Sequence, residues 1–405
     1  MRRIRNFASI GIALVIFAGC AADRPQYHSG LSLYNVGNYS DAEKKMSALK
    51  SFTNDLEYPI YMLDLAYVAE LAGDEKNAQI YYLTGIAAME QKLNDALKTV
   101  QVVSPGEAKF YRGDQFEHVF AHLFLGRVFF RLGQYNDARI EFQKADELDI
   151  SANNLTEHDV SIAHYFAGES YLKLEDSNGA AVAFRNVCRF EPNFPYGYLE
   201  LAKISEGLGR YNDAKNYYND YLKRETNSDK IKIDEESDKT GILVALIDVG
   251  DGPYRAGTVN NLKVKSEYPE SGVKILVDNR LYRAYKLDEV FPHAKHEAGK
   301  VVHTAKEVGT RLARKAIEII AEKETGVRFD VDEHDTRRWD MMPGEFHVVQ
   351  IPLQPGSYTP QMVLLGRNNS ELSSQKINRV TIIAGQKTFI FLRGWTGWHR
   401  PAMPF

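Results

Sequence analysis

The sequence predicts an α+β protein in which an all-α helical solenoid is followed by a β-rich domain, an antiparallel sheet or sandwich, that contains one long amphipathic helix. Two patterns predict this division. Up to residue 228, small and aromatic residues recur with a period of about 34 residues, which is typical of stacked helix pairs. Beyond residue 240, the apolar residues form short runs separated by turn residues, which indicates strands.

The composition is that of a globular chain with more than one domain. Of its 405 residues 44% are hydrophobic, and the net charge is −4, so nucleic acid is not the expected partner. The mean hydropathy of −0.38 excludes a polytopic membrane protein. The two cysteines, Cys20 and Cys188, exclude a disulfide scaffold and a cysteine-rich zinc module. Cys188 lies in an apolar stretch, where a buried, inert thiol is expected.

The N-terminus has the pattern of a secretory signal. Arginines at positions 2, 3 and 5 precede an uncharged run, Phe7 to Gly19, which is too short to span a bilayer, since spanning requires about 20 residues. Phe17-Ala18-Gly19-Cys20 resembles the lipobox of bacterial lipoproteins, in which the cysteine is lipidated. We therefore expect a signal peptide over 1–19 and a lipidated tether over 20–28. Plain secretion with an incidental Cys20 is the alternative.

The clearest repeat places small and aromatic residues at fixed spacings, at Gly126, Phe129, Leu132, Gly133, Tyr135, Ala138, Phe142 and Ala145. The small residues allow two antiparallel helices to approach, the aromatic residues fill the space between them, and Gly133 permits the turn. This spacing resembles the tetratricopeptide repeat. About five copies are expected over 29–228, because the same positions recur at Gly30, Gly37, Ala42, Ala66, Gly73, Ala78, Gly168, Ala180, Ala202, Gly209 and Ala214.

The resemblance implies a concave face, built by the first helix of each repeat, that binds an extended peptide or a partner helix. The expected partner-binding groove contains Tyr67, Arg127, Arg131, Tyr165, Lys173 and Lys203. Aromatic and cationic side chains together suit an acidic or C-terminal peptide. The alternative is that these are ordinary solvated side chains.

A charged linker over 229–240 separates the solenoid from the C-terminal domain, 241–405. Dense mixed charge without bulky apolar residues cannot form a core. The apolar runs that follow predict six strands, at Ile242–Val249, Val273–Val277, Phe346–Leu353, Tyr358–Leu365, Val380–Ile383 and Thr388–Leu392.

One helix, near 297–324, is expected between these strands. Its apolar residues recur at intervals of three and four, at Val301, Ala305, Val308, Leu312, Ala316 and Ile319. Over Ala298 to Lys315 basic residues, which include Arg311, Arg314 and Lys315, outnumber the one acidic residue, Glu307. Two interpretations stay open: a membrane-surface or glycan contact through this basic helix, and a helix that packs on the sheet with its charges in water.

The C-terminal half also resembles a known family. Asp248-x-Gly250-Asp251-Gly252-Pro253-Tyr254, Asp335-Thr336-Arg337-Arg338-Trp339 and Leu353-Gln354-Pro355-Gly356-Ser357-Tyr358 occur in order after the repeats and the lipobox. Together they are similar to a largely uncharacterised bacterial family of tetratricopeptide-repeat outer-membrane lipoproteins. The resemblance covers nearly the whole mature chain. It implies envelope proteins or other lipoproteins as partners, and it supplies no catalytic residues.

Motifs of catalysis or metal binding are few. The chain has no Gly-x-Ser-x-Gly elbow, P-loop or His-Glu-x-x-His zinc helix. His293, His296 and His303 lack a nearby carboxylate or cysteine to complete a tetrahedral site, so neither a metal nor a cofactor is expected. Trp395 and Trp398 near the C-terminus are expected to dock on their own domain, since exposed indoles are adhesive. Docking on another protein is the alternative.

These observations predict a non-enzymatic scaffold or adaptor, lipid-anchored and facing the periplasm. Because Ala21 and not Asp follows the lipobox cysteine, the sorting rule of Gram-negative lipoproteins implies the outer membrane. Two other functions stay open. One is a peptidoglycan- or envelope-binding module that uses the basic helix. The other is an enzyme whose residues, such as Asp335, Arg337 and His347, meet only in the fold.

Overall fold

The structure is a computed structural model that describes residues 25–53, 55–91, 110–153, 160–233, 239–256, 263–300 and 337–397. Several features predicted above lie outside these ranges: the signal peptide, Cys20, Arg311, Arg314 and Lys315 of the basic helix, His303, Asp335 and Trp398. No helix of the described ranges is long and apolar enough to cross a membrane.

Among the described residues of the N-terminal half, ten α-helices form five consecutive antiparallel pairs, one for each predicted repeat. They are α1 (Pro25–Asn35), α2 (Tyr39–Met46), α3 (Tyr58–Ala72), α4 (Glu75–Glu90), α5 (Gln115–Arg131), α6 (Tyr135–Asn153), α7 (Ser161–Lys173), α8 (Ser177–Phe190), α9 (Pro195–Gly207) and α10 (Tyr211–Arg224).

The spacing of small and aromatic residues produces this pairing as expected. A Cβ at Gly126 of α5 would lie 2.5 Å from the ring of Phe142 on α6, and one at Gly168 of α7 would lie 2.7 Å from the ring of Phe184 on α8. Glycine therefore admits the aromatic ring of the following helix. The turn between the two helices requires a positive φ, which is 74° at Gly133 and which glycine adopts without strain.

The C-terminal half contains twelve strands and one helix among the described residues. They are β1 (Gly241–Val249), β2 (Tyr254–Ala256), β3 (Lys263–Lys265), β4 (Glu270–Val277), β5 (Arg280–Arg283), β6 (Tyr285–Glu289), α11 (Val290–Lys300), β7 (Glu345–Leu353), β8 (Gly356–Tyr358), β9 (Gln361–Gly366), β10 (Glu371–Lys376), β11 (Val380–Ile382) and β12 (Lys387–Gly394).

Two four-stranded sheets form the body of this half. The first has the order β12-β1-β7-β6 and the second the order β10-β9-β4-β5. β1 pairs in parallel with β12 and antiparallel with β7. Every other strand pair of the described residues is antiparallel, so the predicted antiparallel β-rich domain is confirmed with one parallel pair.

The first sheet lies between the helices and the second sheet, so the molecule has three layers. On β1, Val244 and Leu246 belong to the same apolar core as the helix pairs. Leu243 and Ile247, which alternate with them, pack in a second core between the two sheets. A strand buried on both faces is apolar at nearly every position, which explains the continuous apolar run at residues 242–247.

The structure also shows where the expected tether, linker and long helix differ from their predicted bounds. α1 begins at Pro25, within the expected tether, and Tyr27 is already buried, with its hydroxyl 2.5 Å from Asp64 Oδ2. Part of the expected linker packs on the β-domain, since Asp229 accepts hydrogen bonds from Arg280 and Tyr282. α11 covers the start of the predicted long helix, and the rest lies outside the described residues.

Candidate partner-binding cleft

The concave face of the helical array is filled by the chain's own β-domain. Arg127, on α5, is 2% exposed. Its Nη1 lies 2.8 and 3.0 Å from the two carboxylate oxygens of Asp248 on β1, and its Nη2 lies 2.8 Å from Glu70 Oε1 on α3. Burial opposes the charge of Arg127, but Asp248 and Glu70 outweigh burial and raise the pKa of the guanidinium above its usual value.

Two tyrosines extend this intramolecular interface along the array. The hydroxyl of Tyr67 donates to Asp248 Oδ2 at 2.8 Å. Tyr165 Oη accepts from the side-chain amide of Gln350 on β7 at 3.0 Å, and the same amide donates to Glu200 Oε1 on α9 at 3.2 Å. Both tyrosines are fully buried. Each hydroxyl thus has a partner, which buried polar groups require.

A second ion-pair group joins α7 and α9 to β12. Lys387 Nζ lies 2.5 Å from Glu169 Oε1 and 2.9 Å from Glu200 Oε2, and Lys203 Nζ lies 3.5 Å from Glu200 Oε1. Burial would raise the pKa of Glu200, but Lys203 and Lys387 outweigh it and lower the pKa to about 2. Glu200 is therefore a carboxylate at neutral pH.

These contacts correct the sequence interpretation of the groove. Tyr67, Arg127, Tyr165 and Lys203 do lie on one face of the array, as the repeat spacing implied. The groups that contact Tyr67, Arg127 and Tyr165 there belong to strands of the same chain, and Lys203 pairs with its neighbour Glu200. A partner peptide has no access to the three buried side chains in this arrangement.

Arg131 and Lys173 lie instead at the rim of an open cleft. It has a volume of about 740 Å³ and is bounded by the turn ends of the helix pairs, by β12 and by the end of β10, and such a volume suits a ligand site, since these span about 300–1,000 Å³. Its lining includes Tyr39, Glu75, Phe130, Arg131, Tyr135, Lys173, Met362, Lys376, Ile377, Lys387, Phe389, Ile390, Phe391, Leu392 and Arg393.

Arg131 holds one wall of the cleft in place. Its Nη2 lies 2.5 Å from Glu75 Oε1, its Nη1 donates to the carbonyl oxygen of Glu70 at 3.0 Å, and its guanidinium lies 5.0 Å from the ring centre of Phe391. Lys173 is exposed at the end of α7. The cleft therefore has an ordered aromatic and cationic wall and a solvent-accessible lysine.

A family comparison bears on the helices that form this cleft. The tetratricopeptide repeat model matches residues 121–149 and 196–227, which cover most of the third and fifth helix pairs. The chain carries tetratricopeptide repeats. The other three pairs repeat the same helix–turn–helix arrangement.

Two solved structures similar to this chain are crystal structures of MamA. One has 18% sequence identity and a TM-score of 0.36, and the match covers 48% of this chain and 93% of that chain. The second has 18% identity and a TM-score of 0.37, over 49% of this chain and 89% of that chain. No curated protein matches the chain.

The interface between the tetratricopeptide repeats and the β-domain also uses residues that the sequence reading did not select. Arg393 of β12 donates to Tyr34 Oη at 3.0 Å and to the carbonyl oxygen of Gly250 at 2.7 Å. Together with Asp248 and Glu70, it is buried. One signal was available: Asp248 and Gly250 belong to the motif that carried the family resemblance, and an acidic residue in an otherwise apolar strand needs a buried partner.

Of the residues named for an alternative catalytic site, Arg337 and His347 are among the described residues, and they do not line a common cavity. His347 is buried in β7, with Nε2 2.7 Å from Glu345 Oε2. Arg337 lies over the ring of Tyr111, 5.5 Å from its centre, and lines a small recess of about 10 Å³. Neither residue lines the 740 Å³ cleft. Asp335 lies outside the described residues.

His293 holds three elements together. Its Nδ1 lies 3.3 Å from Asp149 Oδ1 on α6 and its Nε2 lies 3.4 Å from Asp288 Oδ1 on β6. Burial opposes its charge, but the two carboxylates outweigh burial and raise the pKa to about 10. A protonated imidazole has no free lone pair for a metal. The described residues contain no group of three side chains placed to hold a metal ion.

Two further predictions concern single side chains. Cys188 is half-buried and not fully buried as expected, and burial raises the pKa of its thiol to about 12, so the thiol stays protonated at neutral pH. Trp395 docks within the chain, but on the repeats and not only on its own domain as predicted, since its ring centre lies 5.0 Å from that of Tyr34 on α1.

Proposed function

We propose that this protein is a non-enzymatic adaptor, anchored to the outer membrane through lipidated Cys20 and facing the periplasm, that holds another envelope protein in the cleft beside β12. The setting is cell-wall synthesis, secretion or surface-organelle assembly. The tetratricopeptide repeats support a role in protein binding, because stacked helix pairs present extended binding surfaces.

The single observation that carries the proposal is the open cleft itself. The β-domain fills the concave face at Tyr67, Arg127 and Tyr165, and leaves a volume of about 740 Å³ open between the repeats and β12. Both halves of the chain line this volume, from Tyr39 and Lys173 to Lys376 and Arg393. A partner that enters the cleft would contact the repeats and the β-domain together.

The anchor is supported by the lipobox-like segment that ends at Cys20. One acyl chain gives only marginal membrane binding, whereas several chains hold a protein firmly. Labelled palmitate should enter the natural chain and not the Cys20→Ser variant. The variant should leave the membrane fraction with its fold unchanged, because every described element begins after residue 24. Palmitate incorporation into Cys20→Ser, or none into the natural chain, would overturn the anchor.

The adaptor role is tested by photo-crosslinking in intact cells. A photo-reactive amino acid at position 173, in the cleft, is compared with one at position 215, because Lys215 is exposed on α10 and does not line the cleft. We expect one discrete crosslinked protein at position 173 and none at position 215. The same abundant proteins at both positions would contradict the adaptor role.

A further inference from the structure

β12 is an edge strand whose outer side faces the cleft. In the parallel ladder with β1, the amide of Ile242 donates to the carbonyl of Gln386, and the amide of Gly250 donates to the carbonyl of Gly394. Main-chain groups of successive strand residues point to opposite sides. The even-numbered residues of β12 therefore bond to β1, and the main-chain groups of Lys387, Phe389, Phe391 and Arg393 point to the other edge.

That edge pairs with no other strand of the described residues. Phe389 and Phe391 direct their side chains to the repeats, and contact Phe130 and Phe166, whereas Ile390 and Leu392 pack toward the second sheet. All four residues nevertheless line the cleft. The two phenylalanines and the two aliphatic residues lie on opposite faces of β12. One cavity can contact both faces only if it runs along the edge of the strand.

The charges around this edge select an acidic occupant. Among the charged residues that line the cleft, Glu75 is the one acidic residue and is paired with Arg131. Lys173 and Lys376 are exposed at the cleft, and no ion pair is found for them among the described residues. The two lysines lie on different walls, one on α7 and one on β10.

We propose that the cleft binds an extended acidic segment of a partner protein, which adds as a strand to the free edge of β12. An unpaired edge is a ready template for another chain, and strand addition is a recurring mode of peptide recognition. Acidic side chains of the segment would meet Lys173 and Lys376. This inference rests on the proposed binding function and names the partner's chemistry.

The test uses the full mature chain, labelled with ¹⁵N only at phenylalanine, and an octapeptide of alternating Glu and Val as the probe. Strand addition should slow hydrogen exchange at the Phe389 and Phe391 amides about tenfold, since these amides gain an acceptor. The amides of Phe142 and Phe184, which lie within helices, should not change. The same octapeptide N-methylated at every residue cannot donate main-chain hydrogen bonds and should not bind.

Charge is tested separately by variants of exposed residues. The double variant Lys173→Glu and Lys376→Glu should weaken probe binding about tenfold or more. The matched double variant Lys215→Glu and Lys263→Glu makes the same change of net charge away from the cleft and should leave binding unchanged. An octapeptide of alternating Lys and Val should bind the cleft variant more tightly than the natural chain.

Three results would overturn the inference. If the Glu–Val probe fails to bind at about 1 mM, the weak end of specific affinity, an acidic strand is not the occupant. If it binds equally well when N-methylated, or without protection of Phe389 and Phe391, strand addition is wrong. A specific crosslink at position 173 together with any of these results would preserve the adaptor function and remove only this inference. A probe that binds to the protein, without a specific crosslink at position 173 in cells, would preserve this inference and overturn the adaptor function.

Discussion

Arg127 and Asp248, 121 positions apart, form two hydrogen bonds of 2.8 and 3.0 Å across the boundary between the repeats and the β-domain. Both side chains are almost fully buried. The aromatic rings of Phe124 and Phe391 lie on the guanidinium at 4.6 and 5.4 Å. The two halves therefore share one core and cannot separate without exposing a paired charge.

The first prediction concerns this pair. Arg127→Met should destabilise the protein by about 3–5 kcal/mol, because it leaves Asp248 and Glu70 buried without their cation. Arg185→Met on α8 is the matched control, since Arg185 is exposed, and its effect should stay within about 0.5 kcal/mol. Urea unfolding followed by tryptophan fluorescence measures both. A loss below about 1 kcal/mol for Arg127→Met would show that the pair does not hold the halves together.

The second prediction concerns the closeness of the paired helices. Gly126→Ala should destabilise by about 1–3 kcal/mol, because its Cβ would lie 2.5 Å from the ring of Phe142. Gly207→Ala is the matched control on α9, where no atom lies within 4 Å of the added Cβ, and it should stabilise by about 0.5–1 kcal/mol. In the double variant Gly126→Ala/Phe142→Leu, a smaller leucine side chain replaces the ring, so part of the stability lost in Gly126→Ala should return. Equal effects at the two glycines would refute the packing argument.

The repeat half was predictable because its signals are local. Gly126 and Phe142 are 16 positions apart and meet within one helix pair, so their spacing alone implies the contact. Five of the six predicted strands were also found as single strands, because each is a short apolar run closed by turn residues. The remaining one, predicted at Tyr358–Leu365, is divided between β8 and β9. The short polar strands were missed: β10 (Glu371–Lys376), for example, is exposed at nearly every position and shows no apolar period.

The occupant of the concave face was not predictable by the same means. From the local sequence alone, Arg127 is predicted to be a solvated cation on its helix, and Asp248 is predicted to mark the end of an apolar strand. Only the long-range packing of β1 against α5 shows that each side chain neutralises the other. The cleft depends equally on distant residues, since the parallel pairing of β1 with β12 joins segments about 145 positions apart.

The third prediction concerns the turn of the fourth helix pair. Glu175 has a φ of 59° where the first, second, third and fifth pairs have glycine, for example 74° at Gly133. Side chains are strained in this left-handed region, so Glu175→Gly should stabilise the protein by about 0.5–1 kcal/mol. Gly133→Ala should destabilise by about 1 kcal/mol. Thermal unfolding of the two variants would refute the argument if both shifts had the same sign.

The fourth prediction concerns the pH dependence of His293, which Asp149 and Asp288 contact through opposite ring nitrogens. Its pKa in the folded state, about 10, exceeds the unfolded value of about 6.5. The folded state therefore retains the proton over this interval. The stabilisation from His293 is complete below about pH 6.5 and is lost as pH rises through about 10.

His293→Gln should therefore cost about 3–5 kcal/mol below about pH 6.5, since it leaves two buried carboxylates without their cation. The difference in free energy of unfolding between the natural chain and the variant should shrink steadily up to about pH 10. Urea unfolding at several pH values measures it, and the exposed His28→Gln should differ from the natural chain by less than about 0.5 kcal/mol at each pH. A difference for His293→Gln that stayed constant would mean that the imidazole is neutral in the fold and acts only by packing against the ring of Phe120, 5.6 Å away.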